Sequence, residues 1–140
     1  MSTDILVGID GSENSESAFE WALDEAGFRG ARVRAVLTWT YLGQSGSKLG
    51  PLATEVDAQN LLVEIVDRVA GDRAELVDAV TVNDLPAAGL LDQAASGVAM
   101  VVVGSRGLGG VKGLVLGSVS RTMVERSPVP VVVVPDRVKD

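Results

Sequence analysis

Residues 98–120 read VAMVVVGSRGLGGVKGLVLGSVS. Val98–Val103 is apolar at every position, as expected of a strand covered on both faces. A glycine-rich loop from Gly104 to Gly117 carries it into a short helix, about Ser118 to Arg126, and Val129–Val134 follows as a closing strand. A buried strand that leads through a loop and helix into another apolar strand is half of a parallel sheet.

The rest of the chain repeats that alternation. Ile5–Ile9 reads as a buried strand ended by Asp10-Gly11-Ser12. A helix follows, capped by Ser12 or Asn14, with Ala18, Ala22, Leu23 and Ala26 as one apolar stripe and Gly27 and Gly30 as its stop. Val33–Trp39 is the second strand. Gly43–Pro51 is a loop rich in glycine and serine, and Ala53–Ala70 is a helix with Gly71 as its C-cap. Leu76–Val82 is a third strand. Asp84 and Pro86 open a third helix, whose apolar face is Ala87, Leu90, Leu91, Ala94 and Ala95. These elements predict an α/β fold: a doubly wound, five-stranded parallel sheet of order 3-2-1-4-5, with helices on both faces and one domain over residues 1–140.

In such a sheet ligands bind beyond the carboxyl ends of the strands where the winding reverses, here between strands one and four. Asp10 and the loop that starts at Gly104 lie just past those ends. A carboxylate facing a glycine-rich loop that opens a helix suits a nucleotide: the acid meets base or ribose, and helix N-terminal amides hold phosphates. Arg106, Lys112 and Arg121 are the nearby cations. Each residue also has a structural reading. Asp10 serves a turn, the glycines serve backbone geometry, and Ser118 serves as an N-cap. An ordered loop so long without a ligand is uncommon, which favours the site.

Composition narrows the chemistry. Asp+Glu number 19 against Lys+Arg 12, a formal charge of −7, and the chain has no cysteine and no histidine. The acidic balance opposes a nucleic-acid or anionic-membrane surface. Without cysteine there is no disulfide, thiol catalysis or thiolate zinc site. Without histidine the commonest general base and the Ser-His-Asp triad are absent. There is no Walker loop, no Gly-x-Gly-x-x-Gly and no Gly-x-Ser-x-Gly elbow. The N-terminus does not read as a signal peptide, and the longest apolar runs are far too short to span a membrane, so a cytoplasmic address is expected.

The spacing Gly104-x2-Gly107-x9-Gly117-Ser118 resembles the nucleotide-binding pattern of the universal stress protein family, in its ATP-binding branch. Val7-Gly8-Ile9-Asp10-Gly11-Ser12, with Ala18 and Trp21-Ala22, resembles that family's N-terminal segment, and Ser127-Pro128-Val129-Pro130-Val131 its last strand. The likeness covers about Ile5 to Pro135. It implies ATP across the switch point, with Mg²⁺ or Mn²⁺ on the phosphates. Asp10 would meet the adenosine and Thr38 the adenine. Val103 and Gly104 would line the ribose, and Gly107, beside Arg106, would approach the phosphates. Gly117, Ser118, Val119 and Ser120 would hold the phosphate tail. It also implies a homodimer through the strand at 129–134, where apolar residues make an open edge unfavourable. Around Asn83-Asp84, at Ala99 and at Thr38 the chain departs from the family pattern. The function expected is an ATP-binding regulatory protein of stress response that senses nucleotide occupancy. The alternatives are an interaction module with a vestigial site, or slow ATP hydrolysis or self-phosphorylation at Ser118 or Ser120.

Overall fold

The computed structural model describes residues 2–40, 54–106 and 116–136. The elements run β1 (Ile5–Ile9), α1 (Glu13–Arg29), β2 (Val33–Trp39), α2 (Glu55–Ala70), a 3₁₀ turn (Gly71–Leu76), β3 (Val77–Asn83), α3 (Pro86–Ala95), β4 (Met100–Gly104), α4 (Ser118–Arg126) and β5 (Val131–Val134). The five strands form one parallel sheet of order β3-β2-β1-β4-β5, as the alternation predicted.

Strand periodicity divides the core between the two faces. Ile5, Val7, Ile9, Val33, Ala35, Leu37, Met100 and Val102 point toward α1 and α2, which bury Phe19, Leu23, Leu62 and Ile65 against them. Leu6, Val36, Val101 and Val103 point the other way, against Leu90 and Ala94 of α3 and Met123 of α4. Two glycines let α3 sit close. A Cβ at Gly8 would come within 2.9 Å of Leu90, and one at Gly89 within 2.7 Å of the Thr38 methyl.

Element ends differ from expectation for local reasons. Gly27 lies inside α1, and the helix stops at Gly30, whose φ of 65° is left-handed. The cap of α1 is Ser12, whose hydroxyl accepts from the Ser15 N–H, and not Asn14. α2 starts at Glu55 behind Thr54, and the 3₁₀ turn after it delays β3 to Val77. Ala95, placed on the apolar face of α3 by its spacing, is exposed. β5 begins two residues late, at Val131, because Pro130 has no N–H to give the ladder and supplies only its carbonyl to the Val101 N–H. The loop at Gly43–Pro51 falls outside the described residues. Among the described residues no helix is long and apolar enough to cross a membrane.

Candidate functional site

The switch point follows from the topology. β1 feeds α1 on one face, β4 feeds α4 on the other, and the two strands are neighbours. Their pairing stops at Val7–Val102, while β1 stays paired with β2 out to Ile9–Leu37. Beyond that point Asp10 leaves β1, and Gly104, Ser105 and Arg106 leave β4.

Asp10 is the first carboxylate past β1. Its Oδ1 accepts from the Ser12 N–H at 2.9 Å and from the Ser12 hydroxyl, and its own N–H donates to Ser15 Oγ at 3.3 Å. The turn reading therefore has a geometric basis: this carboxylate helps fix the Ser12 cap and the direction of α1. Thr38 is buried near the end of β2, with its methyl over Gly89. Val103 is buried on the α3–α4 side, and Gly104 is partly exposed where β4 ends.

The N-terminus of α4 is laid out differently from that of α1. Gly117 is the N-cap, with φ −79° and ψ 178°, and among the described residues no side chain caps the helix. Ser118 is therefore the first helical residue and not the cap. Any residue adopts those angles, so the glycine at 117 is not explained by backbone conformation. The first helical amides, at Ser118, Val119 and Ser120, have no acceptor within the helix itself. Ser118 is exposed, Val119 partly so, and Ser120 buried. The Ser120 hydroxyl turns inward, donating to the Ser105 carbonyl at 2.8 Å with the Gly117 carbonyl at 3.2 Å. Of Ser120, then, the backbone amide is what faces the helix start. Gly107 and Lys112 lie outside the described residues.

Two residues hold this end of the sheet together: Asn14, expected only as an alternative helix cap, and Ser105, to which the sequence assigned no role. Asn14, only 5% exposed, accepts at Oδ1 from the Arg106 N–H at 2.8 Å and donates from Nδ2 to the Val134 carbonyl at 3.1 Å. A Cβ at Gly104 would lie 2.7 Å from the Asn14 Cγ, so that glycine makes room for the carboxamide. Ser105 donates its N–H to the Val134 carbonyl at 2.8 Å, and its hydroxyl oxygen accepts from the Asp136 N–H at 2.9 Å. Its carbonyl accepts from the Gly117 N–H at 2.6 Å. Both ends of the segment from Arg106 to Leu116 are thereby tied to one residue. A signal for Asn14 was present in the sequence: positions 14, 18 and 22 share a helix face, so Asn14 extends the buried stripe of Ala18 and Ala22.

No group of three or more Asp and Glu side chains among the described residues is placed to hold a metal ion. The described side chains therefore offer no cage of three or more carboxylates, whereas Mg²⁺ needs only one or two carboxylates beside phosphate oxygens.

Residues 1–135 match the Universal stress protein family. The universal stress protein Rv2005c of Mycobacterium tuberculosis is 39% identical over 133 residues, covering 92% of this chain and 44% of its own length. A universal stress protein of Mycolicibacterium smegmatis is 36% identical over 137 residues, covering 95% of this chain and 46% of its own. The chain thus spans less than half the length of these relatives. Among solved structures, the universal stress protein UspA from Lactobacillus plantarum has a TM-score of 0.76 at 22% identity, covering 94% of this chain and 97% of its own. A universal stress protein in complex with cAMP has a TM-score of 0.72 at 23% identity, covering 94% and 96%. The universal stress protein from Archaeoglobus fulgidus in complex with dAMP scores 0.67 at 22%, with the same coverage. At those identities the structural likeness speaks for the fold. Together with the match over nearly the whole sequence, it leads to one assignment: the chain belongs to the universal stress protein family.

Proposed function

We propose that the chain binds an adenine nucleotide, ATP first, at the switch point between β1 and β4, and acts as a regulatory protein of stress response whose state follows nucleotide occupancy. The observation that carries the reading is the N-terminus of α4: a glycine not required by its backbone angles, followed by helical amides that no side chain caps among the described residues, beside the exits of β1 and β4. Such amides carry the positive end of the helix dipole and favour anions. The complexes of cAMP and dAMP with proteins of the same fold support an adenine nucleotide as the anion.

In this reading the amides of Gly117, Ser118, Val119 and Ser120 surround the phosphates, with the Gly117 N–H partly committed to Ser105. Gly107 and the Arg106 side chain approach the phosphates from the loop. Val103 and Gly104 border the ribose, Asp10 meets the adenosine hydroxyls, and the backbone near Thr38 borders the adenine. Mg²⁺ or Mn²⁺, when present, arrives with the phosphates and moderates their charge. No histidine or cysteine exists to activate water, so binding and release are the function and hydrolysis is at most slow. The acting form is a cytoplasmic homodimer joined along β5.

One set of observations favours a second reading, an interaction module with a vestigial site. Asp10 is engaged by Ser12, and Gly104 is accounted for by Asn14. Calorimetric titration with ATP, ADP and dAMP, with mass analysis of any ligand carried through purification, separates the two. Binding at millimolar or lower nucleotide is expected. A folded protein that binds none of the three would overturn the nucleotide reading in favour of the module.

A further inference from the structure

All the buried polar side chains among the described residues, Asn14, Ser15, Thr38, Ser105 and Ser120, stand near the carboxyl ends of the strands. Buried polar groups are retained where they are fully bonded, and among the described residues no buried side-chain nitrogen or oxygen lacks a partner. Asn14 is at the centre of this group. Its orientation is dictated by its neighbours: the Arg106 amide can only donate and the Val134 carbonyl can only accept, so oxygen faces the first and nitrogen the second. A side chain on α1 thus spans the exits of two other elements, β4 and β5. Ser105 doubles the connection to Val134, adds one to Asp136, and extends both, through its carbonyl, to Gly117 and Ser120 at the start of α4.

We infer that Asn14 is a positioning residue for the nucleotide site, holding Arg106 and the exit of β5 in one arrangement so that occupancy at the start of α4 is felt at Val134–Asp136. This rests on the nucleotide reading above. An anion drawn to the first amides of α4 acts on residues 117–120, of which Gly117 and Ser120 are bonded to the Ser105 carbonyl. Ser105 and Arg106 are in turn held to β5 through the Val134 carbonyl, the Asp136 amide and Asn14. The coupling is reciprocal by linkage: whatever loosens the β5 exit lowers nucleotide affinity by the same factor that nucleotide tightens it.

The test is hydrogen exchange at single amides of the full chain, with and without saturating ATP, alongside calorimetric affinity, for wild type and Asn14→Ala. Asn14→Ser, too short to span both partners, repeats the measurement should the alanine variant not fold. In wild type, ATP slows exchange of the Asp136 amide. In the variant, ATP affinity falls about tenfold, because the part-buried Arg106 amide has lost the Asn14 oxygen that orients it. The ATP-dependent slowing at Asp136 also disappears, while a core amide such as that of Leu37 keeps its protection. A purely packing role would lower stability without removing the ATP-dependent change. If wild type binds ATP but the variant binds equally well, or still shows slowing at Asp136, the inference fails and the nucleotide reading stands. If wild type binds no nucleotide, both fail.

Discussion

Two glycines of the same loop have different causes, and substitution separates them. Gly104 has no positive φ, but a methyl there would overlap the Asn14 carboxamide, which is held on two sides and cannot retreat. Gly104→Ala is therefore expected to destabilise the ligand-free protein by about 1–3 kcal/mol. Thermal unfolding reads this directly, and most of the loss should vanish in an Asn14→Ala background, where the obstacle is gone. An equal loss in both backgrounds would refute the overlap. Gly117 has ordinary extended angles. Gly117→Ala should cost under about 1 kcal/mol of stability as an N-cap change, yet weaken ATP binding at least about tenfold by placing a methyl at the phosphate approach. Unchanged affinity would remove the phosphates from this helix end. Spacing alone singled out both glycines. It could not show that one answers to a side chain 90 positions earlier in the chain, because that contact exists only after β1 and β4 are neighbours.

Elements were legible wherever their cause is local. The apolar runs gave all five strands, and the alternation with helices gave the strand order, because parallel strands joined by right-handed crossovers leave few alternatives. What escaped was non-local or marginal: the 3₁₀ turn after α2, the late start of β5, and the continuation of α1 through Gly27. In α1 the burial of Leu23 and Ala26 outweighs the helix-weakening effect of one exposed glycine. At the far edge, β2 and β3 are joined outside the ladder by Arg32, whose guanidinium donates to both oxygens of Asp78 at 3.1 and 3.0 Å. That hydrogen bond, opposed in part by desolvation, holds the Asp78 carboxyl below its ordinary value. The folded value is the lower one, so the pair contributes above the ordinary Asp value of about 3.9 and its contribution is lost as pH falls through the depressed folded value. Both side chains are half-exposed, so the effect is small and screened by salt. Asp78→Asn should lower the unfolding temperature slightly at neutral pH and low salt, and not at all in strong acid. A difference that persists in acid would have to come from packing.

At the scale of the molecule the open question is what lies along β5. The strand pairs with β4 on one side, and all four of its valines are partly exposed. Val132 and Val134 lean on the cluster under α1, and Val131 and Val133 on the cluster under α3 and α4, so the strand closes both halves of the core. An apolar edge that pairs with no second strand among the described residues invites one, and a second copy of the chain offers the same edge in a two-fold arrangement. The formal charge of −7 on each chain opposes that association, so the apolar edge has to carry it. Two consequences follow together. Sedimentation equilibrium at micromolar protein should give twice the mass of one chain, and raising the salt should tighten the dimer, because screening removes repulsion while leaving apolar contact intact. Val132→Lys is the informative substitution. Its stem can still cover the α1 side while the ammonium reaches for solvent, so the fold survives but the edge now presents a charge. That variant should sediment as a single folded chain and unfold at a temperature independent of concentration, whereas wild type unfolds higher as concentration rises. A wild-type protein of one chain's mass throughout, with a concentration-independent unfolding temperature, would mean that β5 is protected within its own chain. The dimer would then have to be abandoned.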